Sequence, residues 1–104
     1  MHEINLNLSD NGRGSFVVEE GNEIVAKLDI SIAGNNLTVF HTEVNEKLKG
    51  QGVASQLLSA MVDYARMHNK KVIALCSYVL AQFQRHEDQY ADIWNKDWHN
   101  RKTK

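Results

Sequence analysis

Two glycines lie in a short polar stretch, Lys49-Gly50-Gln51-Gly52-Val53-Ala54, between two different hydrophobic patterns. The segment before it has the period of a strand and the segment after it has the period of a helix, so the stretch would join the two. The first turn of a helix has free backbone N–H groups and a partial positive charge, and glycine lets a bulky anion approach the backbone closely. The spacing therefore predicts a cradle for a phosphate or pyrophosphate. It fits an ordinary strand–helix connection equally well.

Two other phosphate-binding loops do not fit this stretch. A P-loop needs Gly-Lys followed by Ser or Thr, and the chain has no such sequence. A dinucleotide-binding loop needs a glycine where Ser55 stands, together with a strand–helix–strand unit near the N-terminus. The stretch is therefore either a phosphate cradle of another kind or an ordinary strand–helix connection.

The elements before this loop follow from a period-two alternation of apolar and polar residues, which is typical of half-buried strands. Four such stretches, separated by short turns with Gly or Asn, predict an antiparallel meander over residues 4–8, 16–20, 24–32 and 37–44. Strict alternation in the fourth strand puts one set of side chains on one face: Leu37, Val39, His41 and Glu43. The other face takes Thr38, Phe40, Thr42 and Val44.

After the loop the period changes. Apolar residues recur at steps of three and four over residues 53–68, which predicts a helix of about four turns with Asn69 as a left-handed stop. The apolar run 72–76 predicts a buried strand, and residues 79–86 a shorter helix. The tail, 90–104, is expected to be helical first and frayed at its basic end, with Trp94 and Trp98 packed on the sheet. The order predicts an α/β (α+β) fold with a mixed, mainly antiparallel sheet and a β-α-β-α half.

Length, charge and composition limit the classes of protein to which the chain can belong. The 104 residues suggest a single domain over residues 1–104, with 91–104 as a C-terminal extension. A formal charge of -1 argues against a nucleic-acid partner, and no apolar stretch has the length of a membrane helix. The chain has one cysteine, Cys76, and no basic, apolar leader at its start. We therefore expect a cytoplasmic protein.

At this point the sequence resembles the GNAT acyltransferases, whose acyl-CoA signature is Arg/Gln-x-x-Gly-x-Gly/Ala. The stretch from Lys49 to Ala54 matches it. Three further segments narrow the resemblance to small, stand-alone GNAT-like proteins of the YjdJ type. One precedes the loop, His41-Thr42-Glu43-Val44, and two follow it, Cys76-Ser77-Tyr78 and Arg85-His86. Lys49 replaces the usual arginine, which keeps the charge but loses the fork geometry. Ser77 replaces a proline, so the turn after Cys76 is less rigid.

The resemblance implies acetyl-CoA as a co-substrate and no metal. In GNAT proteins the fourth and fifth strands splay apart and acyl-CoA lies in the gap. The pantetheine arm would pair with backbone around Glu43 and Val44, and the pyrophosphate would meet the loop. The candidate cofactor-binding residues are Val44, Lys49, Gly50, Gln51, Gly52, Val53, Ala54, Ser55 and His86.

Four candidate catalytic residues follow from the same resemblance. Glu43 would act as the general base for an amine, or be an exposed strand carboxylate. His41 would share that role, although a satisfied core histidine is the reading that its apolar strand favours. Cys76 would accept the acetyl group, or line the pocket as a small inert side chain. Tyr78 would protonate the leaving thiolate, or pack as an ordinary aromatic.

The leading hypothesis is an acetyl-CoA-dependent N-acyltransferase that transfers an acetyl group to a primary amine of a small molecule or a protein, directly or through Cys76. The alternative is an acyl-CoA-binding module with little turnover. Larger GNAT enzymes have two helices between their first two strands that wall the acceptor site. Only residues 9–14 lie there in this chain. We therefore expect an acceptor side that is open, or completed by a partner chain as in a homodimer.

Overall fold

A computed structural model describes residues 2–98 of the chain. Its centre is a five-stranded sheet whose strands follow one another in chain order from edge to edge. The strands are β1 (Asn5–Leu8), β2 (Arg13–Glu20), β3 (Glu23–Ala33), β4 (Asn36–Val44) and β5 (Lys71–Ala74). Neighbours among β1 to β4 pair antiparallel and β5 joins β4 in parallel, which confirms the predicted fold class.

A β-bulge at Phe40 interrupts the regular pairing of β3 with β4. Ile30 pairs with Val39 and Asp29 with His41, so Phe40 is an extra residue on β4. Directly paired residues point to the same face of a sheet, so one face carries Leu37, Val39, Thr42 and Val44. The other carries Thr38, His41 and Glu43. The prediction that His41 and Glu43 share a face with Val39 is therefore wrong. It assumed strict alternation along the strand, which does not allow for an extra residue.

Helix α1 (Val53–Met67) packs on the face of the sheet that carries Val39. Its apolar stripe is buried, and Tyr64 meets the ring of Phe16 edge-on, with 5.9 Å between the ring centroids. Asn69, at φ +55°, is the left-handed stop that the sequence predicted. Among residues 2–98, no helix has the length and apolar character needed to cross a membrane. The core between α1 and the sheet includes Phe16, Leu28, Ile30, Leu37, Val39, Leu57, Met61 and Ala65.

Strand β5 ends two residues before the sequence predicted. The N–H groups of Leu75 and Cys76 both donate to the Val39 carbonyl, at 3.0 and 2.9 Å, instead of continuing the ladder. The chain then turns into α2 (Ser77–Arg85), with Cys76 as the N-cap residue. The predicted strand end at Cys76 thus becomes the start of a helix.

The segment after α3 (Glu87–Tyr90) lies along the outer edge of β5. Val72 donates its N–H to the carbonyl of Ile93 at 2.6 Å and accepts the N–H of Asn95 at 2.8 Å. Residues 91–97 form turns and this one bridge, so the prediction of a helical start to the tail is wrong there. Trp94 packs on Phe83, with ring centroids 5.6 Å apart. The predicted frayed basic end, residues 101–104, lies outside the described residues.

The second face of β2 to β4 is polar and accessible to solvent, and it is called the polar face below. Its side chains are partly or fully exposed, apart from the buried Val17. Lys27 and Asp29 form an ion pair there at 3.7 Å. The cross-strand pairs assign to it Arg13, Ser15, Lys27, Asp29, Ser31, Thr38, His41 and Glu43.

Gly12, at φ +89° in the turn between β1 and β2, accepts the N–H of Ile32 at 2.8 Å. A Cβ there would overlap the carbonyl oxygen of Ile32. We expect Gly12→Ala to lower the free energy of unfolding by about 3 kcal/mol, because backbone displacement adds to left-handed strain. Gly21→Ala is the matched control. It has φ +65° but open space, and we expect a loss of about 1 kcal/mol. Equal losses in urea unfolding would contradict this account.

Candidate active site

Strands β4 and β5 separate after Val39. Their parallel pairing runs from Asn36 with Lys71 to Val39 with Ala74. It ends at the Val39 carbonyl, which accepts two hydrogen bonds. Residues 40–44 of β4 continue with β3 on one side, while β5 has turned away into α2. The backbone of this stretch is therefore accessible on its β5 side, in the splayed arrangement that the resemblance implies.

The separation opens into a cleft of about 790 Å³ between the end of β4 and the start of α2. A smaller depression of about 290 Å³ adjoins it at the start of α1. The two share Val44, Lys49, Ala54 and Tyr78, so they form one continuous groove. Its larger part is also lined by Ile24, Val25, Ala26, Lys27, His41, Thr42, Glu43 and Asn45.

The N-terminus of α1 presents backbone donors to the smaller depression. Gly52, the N-cap residue, has φ +74° and supplies no side-chain cap, and the first turn of the helix has no acidic residue. The first N–H groups of the helix therefore keep their positive potential for an external anion. Gly50, at φ +84°, and Gly52 have a left-handed backbone that favours glycine, although a Cβ on either would meet no atom within 4 Å. This donor set fits a pyrophosphate.

Most of the predicted cofactor residues line the groove: Val44, Lys49, Gly50, Gly52, Val53, Ala54 and Ser55. Lys49 is paired with Glu46 at 3.1 Å, but the ammonium is well exposed and such a pair is weak. Gln51 turns back to the Lys47 carbonyl, at 3.4 Å. His86 lies beyond the C-terminal end of α2, in a separate depression formed by residues 84–89. The structure brings neither Gln51 nor His86 into the groove.

His41 and Glu43 lie together on the polar face beside the groove. Nε2 of His41 is 3.6 Å from Oε2 of Glu43, and the two side chains are 61% and 51% exposed. The prediction that His41 is a core histidine is therefore wrong, because the bulge at Phe40 turns its side chain to the polar face. The pair can pass a proton between a ligand in the groove and solvent.

Cys76 is buried, with 5% of its surface exposed. Its Sγ is 3.3 Å from Oγ1 of Thr42, with either atom as donor. Thr42 lines the cleft and Cys76 does not. The thiol therefore lies behind Thr42 as seen from the groove. The sequence did not indicate Thr42 as a site residue, because its orientation toward α2 depends on the bulge.

Tyr78 lies in the first turn of α2 and borders both parts of the groove. Burial, with smaller contributions from Tyr90 and Cys76, raises the pKa of Tyr78 above its usual 10.0. The phenol is therefore protonated at neutral pH and can donate a proton. Within residues 2–98, no three His, Cys, Asp or Glu side chains converge as a metal site would require.

Two solved structures share this fold at low identity. A ribosomal-protein-alanine N-acetyltransferase from Brucella melitensis is 16% identical, with a TM-score of 0.58 over 82% of this chain and 63% of that one. A ribosomal-protein-S18-alanine N-acetyltransferase from Escherichia coli is 15% identical, with a TM-score of 0.57 over 64% and 43%. Each supports the fold alone.

A nearer likeness is to a GCN5-like protein from Staphylococcus aureus, solved by NMR. It is 31% identical, with a TM-score of 0.65, and 90% of each chain is covered. No curated protein matches the sequence, and the narrower YjdJ type stays a prediction. A family model for GCN5-related N-acetyltransferases matches residues 15–93, most of the chain. On that match and the Staphylococcus relative, the chain belongs to the GCN5-related N-acetyltransferase family.

Proposed function

We propose that the chain is an acetyl-CoA-dependent N-acetyltransferase that acetylates a primary amine by direct attack on the thioester. The observation that carries the proposal is the uncapped N-terminus of α1 beside the free end of β4. One groove joins these two features, so it offers an anion site and an unpaired strand edge to the same ligand. Acetyl-CoA has both parts, a pyrophosphate and an amide-bearing arm.

In this proposal the chain binds the co-substrate through backbone groups. The first-turn amides of α1, with Gly50 and Gly52, hold the pyrophosphate, and Lys49 adds a positive charge beside it. The backbone of β4 near Val44 pairs with the pantetheine arm. Acetyl-CoA supplies an activated acetyl group, and the protein aligns it for attack.

The chemistry then needs one base and one acid. The amine nitrogen forms a bond to the thioester carbonyl carbon, and the carbon–sulfur bond breaks. Glu43 takes the proton that the amine loses, and His41, 3.6 Å away, can relay it to solvent. Tyr78 gives its proton to the departing thiolate and regains one from water. The products are the acetylated amine and CoA.

Direct attack is favoured over a route through Cys76 by the position of the thiol. It is buried behind Thr42, and an acyl group on sulfur would need space that the side chain does not have. The alternative of a binding module with little turnover is supported by one feature. His41 and Glu43 lie on an exposed face rather than inside an enclosed acceptor pocket. Release of CoA that depends on an added amine would exclude this alternative.

Acetyl-CoA should raise the melting temperature, because a ligand that binds only the folded state stabilises it by about 2.7 kcal/mol at 100 times its Kd. Gly52→Asp should abolish the shift by putting a carboxylate where the phosphates bind. Gly34→Asp is the matched control. It has φ +59° and open space, but lies in the turn before β4 at the far end of the strand. A Gly52→Asp protein that keeps the shift would refute the assigned cradle.

Glu43→Gln should lower kcat by about 100-fold with little change in acetyl-CoA binding, as expected for loss of a general base. Cys76→Ala should keep most of the rate and cost about 1 kcal/mol of stability. Steady-state kinetics and urea unfolding measure these effects. If Cys76→Ala loses most turnover, and the wild type gains a stable acetyl group in its intact mass, the two-step route is correct instead.

Tyr78→Phe should lower kcat at neutral pH by about 100-fold while acetyl-CoA binding is kept, since only the proton donor is lost. Because the pKa of Tyr78 is raised above 10.0, the wild-type phenol keeps its proton through neutral pH. The wild-type rate should therefore show no decline from this group below pH 10. A wild-type rate in Tyr78→Phe would assign the tyrosine to packing only.

A further inference from the structure

The polar face carries its side chains in cross-strand rows. Arg13 belongs to the row of Ser31 and Thr38, and Asp29 and His41 belong to the next. A further row holds Lys27 and Glu43. Successive rows are two residues apart along β3, or about 7 Å. The row of Glu43 lies at the groove, and that of Arg13 lies farthest from it.

Most ionisable groups on this face lie beside a polar partner. Lys27 is 3.7 Å from Asp29, which also accepts a hydrogen bond from Ser15 at 2.5 Å. His41 lies 3.6 Å from Glu43. The rows nearest the groove therefore contain paired groups.

Arg13 is different. Its backbone N–H donates to Asn11, but within residues 2–98 its guanidinium forms neither an ion pair nor a hydrogen bond. The guanidinium lies instead over the ring of Phe40, 4.8 Å from the centroid. A cation–π contact of this kind holds the guanidinium in place and leaves its N–H edge available for an anion.

Phe40 is itself unusual. It is the bulged residue, it is 37% exposed, and it lies between the row of Arg13 and the row of His41. Leu75, whose N–H bonds to the neighbouring Val39, is 42% exposed. Two exposed apolar side chains thus adjoin the point where β4 and β5 separate, and an unpaired cation lies over one of them.

We propose that Arg13, supported by Phe40, binds an anionic group of the acceptor and so selects amines that also carry a carboxylate or a similar anion. The inference rests on the proposed N-acetylation, since it assigns the part of the acceptor other than its amine. The anion binds over Phe40 while the amine reaches Glu43, between one and two rows away. An acceptor must therefore separate its two charges by roughly 7 to 14 Å.

The test compares acceptors that differ only in the anion. One pair is 6-aminohexanoate and 6-aminohexanamide, and the other is N-acetyl-Glu-Lys amide and N-acetyl-Gln-Lys amide. With acetyl-CoA saturating, kcat/KM for the anionic member should exceed that of the neutral member by at least about tenfold, the value of one hydrogen bond to a charged group. The pair that shows the larger ratio tells whether the acceptor is a small molecule or a peptide.

Variants test whether the preference for the anionic acceptor depends on Arg13. Arg13→Gln should reduce the ratio to near one by raising KM for the anionic acceptor, with kcat and the neutral acceptor unaffected. Arg13→Lys should retain part of the ratio, because it keeps the charge but not the planar fork. Lys70→Gln removes an equal charge from a residue outside the polar face, where the ammonium bonds to the Gly34 carbonyl, and should keep the full ratio. Phe40→Leu should give an intermediate ratio.

The outcomes separate this inference from the proposed function. Turnover with equal use of both members, or a preference that survives in Arg13→Gln, overturns the role of Arg13 and leaves N-acetylation standing. If no acceptor gives turnover, NMR titration with 6-aminohexanoate decides. Shifts at the Arg13 side chain and the Phe40 amide that the neutral amide does not cause, and that Arg13→Gln removes, support the anion site. Equal shifts from both compounds, or none, refute it.

Discussion

The carbonyl of Val39 accepts two N–H groups from the start of the α2 turn, and the groove depends on that arrangement. Up to this point β4 and β5 are an ordinary parallel pair. Beyond it, one strand continues and the other becomes a helix. A ligand can then occupy the position that the next residues of β5 would have taken. Its amide groups would satisfy strand groups that otherwise depend on water.

The rest of the fold keeps this divergence in place. The buried stripe of α1 fixes that helix on the sheet, so its uncapped N-terminus stays beside the end of β4. On the other side, Ile93 and Asn95 bond to Val72 and occupy the outer edge of β5. Arg66 bonds to Asp92, with 2.9 Å between Nε and the carboxylate, and so connects α1 to the same segment. Each element next to the groove is thus held by contacts outside it.

Hydrophobic period was sufficient to predict the order of β1 to β4, α1, β5 and α2, because that order depends on local pattern. The left-handed stop at Asn69 was likewise predictable from the residue type at the end of the helical pattern. The glycine loop was also recognisable, since an exposed N-cap glycine leaves a sequence signal. The orientation of His41 and Glu43 was not predictable. A bulge arises from the pairing of two strands, and Phe40 has no local feature that marks it as the extra residue. The burial of Cys76 behind Thr42, and the contact of Arg13 with Phe40, depend on the same long-range register.

The bulge also makes the register of β4 a constraint on the reactive face. If Phe40 entered the ladder opposite Asp29, every later residue of the strand would turn to the other face of the sheet. His41 and Glu43 would then lie against α1, while Thr42 and Val44 would face water. An imidazole and a carboxylate would be desolvated beside an apolar core. Deleting Phe40 has no such effect, because it removes the extra residue and leaves His41 opposite Asp29. For this protein a single unpaired residue thus determines which side chains the end of β4 presents to solvent.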